Sequence, residues 1–443
     1  MAELLALGVS HQTAPLELRE RLTLTEGRAV GILGDLTDRD EVHEAAAIST
    51  CNRSELYLFA AEPVGAESVA LGALAGEAGI PPTELAGHLY TFRGVDAAGH
   101  LFRVTAGLES MIIGEAEIQG QVKRAYELAL VEGATGPILN RVFRGALVAG
   151  KRARAETEIS EGAMSVPSVA VELARRALGE LERRRVLVVG AGETAELTAR
   201  ALAARGLHPA FIANRHYDRA IGLAERFGGT AVRFEELPDQ MLAADVIVAS
   251  TSSPHHVIER EELAEVMAAR DGRPLLIIDL AVPRDVQPEC REVVGVSLHD
   301  MDDLQSLVER NASGREAEAH RVEAVLRAEL GRLERWLASQ QVTPTIAALR
   351  DRAATIVDRV LAENDSRWEG LTDADRERLR AAAGAIASRL LHEPTLRLKR
   401  SVGEADSYAR LAILRELFGL DAGTEPLEGD AEVADLRDRR RKR

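Results

Sequence analysis

A chain of 443 residues with 55 Lys and Arg against 71 Asp and Glu, a net charge of −16, has length for about three domains at roughly 150 residues each and excludes a protein that grips nucleic acid over its whole surface. Hydrophobic residues at 46% and charged residues at 28% exclude general disorder, and aromatics at 3% argue against base stacking as the main device. Two cysteines, Cys51 and Cys290, are too few for a disulfide framework or a structural zinc site. With no apolar run near the roughly 18 residues of a membrane helix and no signal-peptide pattern at the start, the expectation is a reduced, cytoplasmic protein with no membrane segment and no metal.

Residues 4–9 form a short apolar run closed by Ser10, His11, Thr13 and Pro15, the pattern of a buried strand entering a loop. Residues 44–50 and 55–60 also read as strands, so the first 155 residues predict a small α/β unit that turns helical after Asp96. A helix is predicted over 140–154. At roughly 100° per residue its Arg141, Arg144, Lys151 and Arg152 fall within an arc of about 100°, a basic stripe that is either a solvated face or a phosphate contact.

From Arg185 the pattern alternates strand and helix: apolar runs at 186–189, 209–213, 246–249 and 275–279 predict a parallel, doubly wound sheet. Beyond about Asp302 the strands stop. Val322, Leu326, Leu330, Leu333 and Leu337 mark a long amphipathic helix that should end near the start signal Thr343-Pro344. Ile346, Leu349, Ala353, Ile356 and Val360 mark a second helix. Thr372 with Asp375 caps a third, containing Leu379, Ile386 and Leu390, and a fourth carries Leu411, Leu414 and Phe418. Such stripes cannot be buried by isolated helices, so this region should pack on itself or against a second chain. Residues 421–443, acidic and then basic without apolar periodicity, predict a mobile tail.

The expected organisation is therefore an N-terminal α/β unit (1–155), a Rossmann-like dinucleotide domain (156–300), a linker helix (301–341), an all-helical domain (342–420) and the tail (421–443). Within the second, the strand 186–189 runs into Gly190, Ala191, Gly192, Glu193, Thr194 and Ala195, a G-x-G-x-x-A turn opening a helix. Gly190 permits the tight turn, Gly192 lets a pyrophosphate approach the backbone, and Ala195 allows close helix–strand packing. About twenty residues on, where an acid would hold the ribose hydroxyls of NAD, stand Asn214 and Arg215. A guanidinium there suits a 2′-phosphate and favours NADPH, unless Arg215 is a plain surface arginine.

Cys51 lies at the end of an apolar strand in the polar turn Ser49-Thr50-Cys51-Asn52-Arg53. Free cysteines are commonly small buried hydrophobes. Against that stands its company: Arg53 could stabilise a thiolate, the turn could offer N–H groups to an oxyanion, and the chain carries a dinucleotide site. Cysteine and nicotinamide together suggest reduction through a thioester, which accepts hydride more readily than an oxygen ester. Cys290 has no such setting and reads as structural.

These motifs together resemble the glutamyl-tRNA reductase family. The resemblance is carried by Gly8-Val-Ser-His-Gln-Thr-Ala-Pro15, by Ser49 to Arg53 with Glu55-Leu-Tyr57, and by Glu109-Ser-Met-Ile-Ile-Gly-Glu115. It continues in Gly120-Gln-Val-Lys123, Gly190 to Thr194, Ala213-Asn-Arg215, Pro344-Thr-Ile346 and Leu390-Leu-His-Glu-Pro-Thr395. It implies a catalytic domain, a spinal helix, an NADPH domain and a dimerisation domain in a homodimer. The implied reaction is reduction of glutamyl-tRNA(Glu) to glutamate-1-semialdehyde with release of tRNA, the first step of tetrapyrrole synthesis from glutamate.

By the same resemblance Cys51 is the nucleophile, Thr50, Asn52 and Arg53 hold the glutamyl group, and Ser110, Glu115, Ala116, Glu117 and Gln121 line its pocket. His100 matches a histidine tied to activity, with proton management as its implied role. One departure stands out: Gly114-Glu-Ala-Glu-Ile118 replaces the family's usual Gly-Glu-Pro-Gln-Ile, which puts the acid Glu117 where an amide is common. The basic stripe acquires the tRNA acceptor arm as partner, and an aminomutase is the implied acceptor of the aldehyde. Because cysteine and cofactor lie in different domains, the nicotinamide is expected to swing or reach toward Cys51, with domain motion about the spinal helix. Two rival readings are a reductase of a free small acid, akin to shikimate dehydrogenase, and a non-enzymatic dinucleotide-sensing dimer. Neither accounts for the N-terminal motifs.

Overall fold

A computed structural model describes residues 2–160, 166–179, 184–204, 211–309, 316–365, 370–400 and 407–420. The tail expected at 421–443 lies outside the described residues. The chain divides into two compact units, Met1–Leu330 and Gly331–Arg443.

The first unit holds two sheets. Strands β1 (Glu3–Ser10), β2 (Val42–Ser49), β3 (Arg53–Ala60) and β4 (Tyr90–Arg93) form an antiparallel sheet in the order β2-β3-β1-β4. The first three carry the runs expected as strands. β4 has no such signal, because four residues at a sheet edge, alternately half-buried and exposed, leave little pattern. On β1, Gly8 pairs with Glu55 of β3 on one side and with Tyr90 of β4 on the other. A Cβ at residue 8 would stand 2.4 Å from the Ser54 carbonyl oxygen and 2.9 Å from Glu55 Cγ. The glycine thus makes room for a carboxylate on the buried sheet.

Helices Gly94–Ala106, Glu117–Val131 and Pro137–Glu156 pack with this sheet. Pro137–Glu156, expected over 140–154, starts where Glu44 of β2 accepts from the N–H groups of Ile138 at 3.0 Å and Leu139 at 2.6 Å. A buried carboxylate there satisfies two orphan donors and complements the helix dipole. Along the basic stripe, Arg152 pairs with Glu156 at 2.7 Å and with Glu329, Arg144 donates Nε to the Tyr126 hydroxyl at 3.2 Å, and Lys151 is exposed.

The second sheet is parallel throughout. Its strands β5 (Val186–Val189), β6 (Phe211–Asn214), β7 (Thr230–Arg233), β8 (Val246–Ala249), β9 (Leu275–Asp279) and β10 (Val296–His299) lie in the order β10-β9-β8-β5-β6-β7. That is the doubly wound dinucleotide-binding order, with its switch point between β5 and β8. β5, β8 and β9 coincide with the expected runs because buried parallel strands read as unbroken apolar stretches. β7 and β10 are edge strands with one buried residue between them and escape such a reading. Residues 209 and 210 of the expected second strand lie outside the described residues.

One long helix, Glu316–Glu363, corrects the break expected at Thr343-Pro344. Pro344 removes a donor, but Thr343 Oγ1 donates to the Ser339 carbonyl at 2.9 Å, and Val342, Ile346 and Leu349 are buried on both sides of it. Packing outweighs the local helix-breaking preference. Helix Asp373–Arg400 begins as expected, with the Asp375 N–H donating to Thr372 Oγ1 at 3.3 Å. In the second unit Val342, Ile346 and Leu398 form a small buried cluster, with Leu411 and Leu414 packed on it. Ile356, Ile386 and Leu390 of the expected stripes are exposed. Among the described residues, no helix is long and apolar enough to cross a membrane.

Candidate active site

Thr50, Cys51 and Asn52 join β2 to β3. Inside the turn the Thr50 N–H donates to the Arg53 carbonyl at 2.8 Å and the Asn52 N–H to Thr50 Oγ1 at 3.2 Å. These two N–H groups are therefore committed and do not offer themselves to an oxyanion, as the sequence had suggested. From outside, His11 donates its N–H to the Asn52 carbonyl at 2.8 Å and Arg19 Nη1 donates to the Cys51 carbonyl at 2.9 Å. Cys51 is half-buried and packs against the apolar core beneath the parallel sheet. Burial, then Glu115 and Glu117, pushes its thiol up to about 12, with Arg19 pulling the other way. The expectation that Arg53 stabilises a thiolate is corrected. Arg53 turns its guanidinium to the Glu55 carboxylate at 2.7 Å and to the Glu109 carbonyl, and the cation acting on the sulfur is Arg19.

A cavity of ≈ 180 Å³ opens beside Cys51. One side is made by Thr50, Cys51, Asn52, Arg53, Ser110, Glu115, Glu117 and Gln121. The other is made by Thr194, Ser250, Thr251 and residues 280–282, which follow the carboxyl ends of β5, β8 and β9. Residues expected to serve the substrate and the dinucleotide crevice thus face one space. Burial raises the Glu115 carboxyl. Burial, Glu115 and Glu193 push Glu117 up to about 7 against the pull of Arg124. Asn52 Oδ1 and Ser250 Oγ are buried without a hydrogen-bond partner. Ala116 is exposed at the cap of helix Glu117–Val131 and does not face the cavity.

His100 stands elsewhere. From helix Gly94–Ala106 its Nε2 meets Glu55 Oε1 at 2.9 Å, and its ring stacks on Phe92 with centroids 4.5 Å apart. It lines a separate groove with Tyr90 and Arg103; Arg53 borders both spaces. Glu55, fully buried, also accepts from the hydroxyls of Tyr57 at 2.6 Å and Tyr90 at 2.5 Å. Burial opposes its charge, yet Arg53 and His100 hold its carboxyl well below the usual carboxylate range.

At the end of β5, Gly190 has φ +121°, and a Cβ there would stand 2.6 Å from the Ser250 carbonyl oxygen. Gly192 caps helix Glu193–Ala203 with no side-chain bond to its first N–H groups, open space surrounds its Cβ position, and Ala195 is fully buried. Free N–H groups, an unhindered approach and the unpartnered Ser250 hydroxyl fit a dinucleotide. Ala191 packs on the core, Glu193 pairs with Arg124 at 2.9 Å, and Thr194 reaches the Cys51 cavity. Asn214 ends β6 and Arg215 follows it, exposed. Asp285, pushed up to about 6 by burial, feels Arg215 and accepts from the Thr251 N–H at 2.6 Å.

Comparison with known proteins gives the whole arrangement a family. Residues 7–157 match the glutamyl-tRNA(Glu) reductase N-terminal domain and residues 321–420 its dimerisation domain. A glutamyl-tRNA reductase of Rubrobacter xylanophilus is 42% identical over 93% of this chain and 96% of its own. That of Pelotomaculum thermopropionicum is 38% identical over 96% of both. The chain belongs to the glutamyl-tRNA reductase family. It is an oxidoreductase of that family, and the glutamyl-tRNA reductase of Methanopyrus kandleri shares its structure, with TM-score 0.54 at 35% identity over 95% of this chain and 100% of that one. Residues 172–307 match shikimate/quinate 5-dehydrogenase, so the parallel sheet is a dinucleotide domain of the NAD(P) type.

Several residues that shape the site carry little signal in the sequence. Glu55 does show one, a lone acid in an apolar strand, which demands buried partners. Arg19, between Leu16, Leu18 and Leu22, reads as an ordinary surface cation until its 3% exposure is seen. Thr251 and Asp285 meet across 34 residues, which no local pattern announces. Cys290, fully buried with Sγ 3.8 Å from the Ile258 carbonyl oxygen, sits as a structural cysteine would.

Proposed function

We propose that this chain reduces glutamyl-tRNA(Glu) to glutamate-1-semialdehyde with NADPH and releases the tRNA, the first step of tetrapyrrole synthesis from glutamate, through a thioester on Cys51. The observation that carries this reading is the cavity in which Cys51 faces Thr194 and the strand ends of the dinucleotide sheet. Cys51 Sγ attacks the ester carbonyl: a C–S bond forms, the ester C–O bond breaks, and the thiol proton passes to the departing ribose hydroxyl. Glu117, pushed up to about 7, is the cavity group suited to relay that proton. Arg53, Thr50, Asn52, Ser110, Glu115 and Gln121 hold the glutamyl group. His100 acts as a positioning residue through Glu55 and Arg53.

NADPH, when bound, supplies the hydride that makes the acyl group an aldehyde. Gly190, Ala191, Gly192, Glu193, Thr194 and Ala195 would hold its pyrophosphate, and Asn214 with Arg215 the 2′-phosphate. The exposed Ile356, Ile386 and Leu390, in a region matching a dimerisation domain, support a homodimer. The setting proposed is the cytoplasm, with an aminomutase consuming the aldehyde.

The test is a single turnover of the purified protein with radiolabelled glutamyl-tRNA, with and without NADPH. Label should move onto wild type without NADPH, appear as aldehyde once it is added, and never join Cys51→Ser. Intact aminoacyl-tRNA with both proteins would refute the acyl-transfer route.

A further inference from the structure

The six-residue helix Leu16–Arg21 carries a buried cation beneath the nucleophile. Arg19 spreads its guanidinium over three acceptors. Nε donates to the Ala14 carbonyl at 3.3 Å, Nη1 to the Cys51 carbonyl at 2.9 Å, and Nη2 to the Asp302 carboxylate. Ala14 and Cys51 flank strands of the antiparallel sheet. Asp302 belongs to helix Met301–Glu309, which follows the last strand of the parallel sheet and whose Met301 lines the Cys51 cavity. The neighbouring Glu20 grips the same half of the unit, accepting from Arg284 through its backbone N–H at 2.7 Å, Nε at 2.9 Å and Nη2 at 2.7 Å. Two adjacent side chains of this helix therefore reach the dinucleotide-binding half, and Arg19 also holds the nucleophile's turn.

A buried guanidinium is costly unless its donors are matched and its charge is answered. Here two of the three acceptors are neutral carbonyls, and Asp302, half-exposed, answers the charge. Around Cys51 the charged groups divide cleanly: Glu115, from the loop after Gly94–Ala106, and Glu117, from the next helix, oppose ionisation of the sulfur, and Arg19 favours it.

We propose that Arg19 is a positioning residue for the nucleophile, anchored by Asp302, so that docking of the dinucleotide-binding half governs how readily Cys51 yields its proton. The Nη1 bond fixes the carbonyl of Cys51 and with it the turn. The Nη2 bond keeps the guanidinium from leaving. Without that anchor the cation turns away, and Cys51 is left with two carboxylates that resist its ionisation. This inference rests on Cys51 being the nucleophile, but its test does not.

The measurement is the rate at which iodoacetamide alkylates Cys51 in the full-length protein at fixed mildly alkaline pH, read by mass spectrometry of the Cys51 peptide so that Cys290 is distinguished. The rate follows the thiolate fraction. Arg19→Gln should slow it about tenfold, one unit of thiol acidity. Asp302→Ala should slow it in the same direction by roughly threefold, and Arg19→Lys should recover part of the loss, since an ammonium keeps the charge but not the fork. In single-turnover acyl transfer the rate constant should fall in step while KM for glutamyl-tRNA holds. Unchanged alkylation in folded Arg19→Gln and Asp302→Ala overturns the proposal, and faster alkylation in Asp302→Ala overturns the anchoring role. Asp302→Ala retains the arginine itself and removes only its anchor, which keeps the test decisive if Arg19→Gln does not fold. Should alkylation shift as expected while Cys51→Ser still accepts label, the nucleophile assignment fails and the coupling stands.

Discussion

Two acidic clusters meet at Arg53 and differ in almost every respect. Around Glu55, four side chains converge on one carboxylate, every partner is within hydrogen-bond distance, and the group is held ionised despite full burial. Around Cys51, the sulfur, Glu115 and Glu117 are all pushed toward their neutral forms, and Asn52 Oδ1 has no partner. A matched buried network rigidifies a fold, whereas unmatched titratable groups facing a cavity mark the place where a substrate completes the set. The lesson is that perturbed acidity alone does not locate chemistry. Between these two clusters the carboxylates divide: Arg53 and His100 hold Glu55 charged, and burial pushes Glu115 and Glu117 toward neutral.

The sharpest way to break the contrast is Glu55→Ala. It leaves the Arg53 guanidinium, 2% exposed, without its counter-charge, and loss of one partner of a buried pair costs about 3–5 kcal/mol. Urea unfolding should show the midpoint fall with little change in slope; a loss below about 1 kcal/mol would mean the network is not structural. Tyr57→Phe removes one charge-assisted bond and should cost about 1.5–3 kcal/mol by the same assay.

The two carboxylates should also give stability opposite pH slopes. Glu55 is depressed in the fold, so its contribution is present above the ordinary carboxylate range and is lost as pH falls below it. Glu117 is raised from 4.5 to about 7, so its contribution is complete below about 4.5 and is lost as pH rises through about 7. Glu117→Gln should therefore melt higher than wild type at pH near 8 and alongside it at pH near 4.5. After allowance for solvent screening the difference is on the order of 1–2 kcal/mol. Melting curves that stay parallel at both pH values would remove Glu117 from the set of strained groups.

The sequence makes the scaffold and the nucleophile legible to different degrees. β5, β8 and β9 announce themselves because a parallel strand buried on both faces must be apolar throughout, and Gly190 because its backbone conformation admits little else. Cys51 was visible as a candidate, but its surroundings were not. The nearest cation in sequence, Arg53, turns away to Glu55, and the one that acts, Arg19, comes from 32 residues earlier. Pro344 misled for a related reason: a local breaking signal yields when residues on both sides are buried. What stayed hidden is the pairing of side chains across elements, and the site is built from such pairs.

The smallest expected effect lies on helix Pro137–Glu156, where committed and exposed cations alternate along one stripe. Arg152 is tied to Glu156 and Glu329, whereas Lys151 beside it is exposed. If this face meets the phosphates of tRNA, Lys151→Ala should weaken binding modestly and lower the slope of log affinity against log salt by about one. Arg152→Ala should leave that slope nearly unchanged, because its charge is already answered within the protein. Arg144→Ala belongs between them, since its Nε is engaged by the neutral Tyr126 hydroxyl and its charge remains to be matched. Salt titrations of tRNA binding for the three variants rank the cations directly. Equal slopes would show the stripe to be a solvated helix face, and a larger effect at Arg152 than at Lys151 would mean that tRNA displaces Glu329 from its partner.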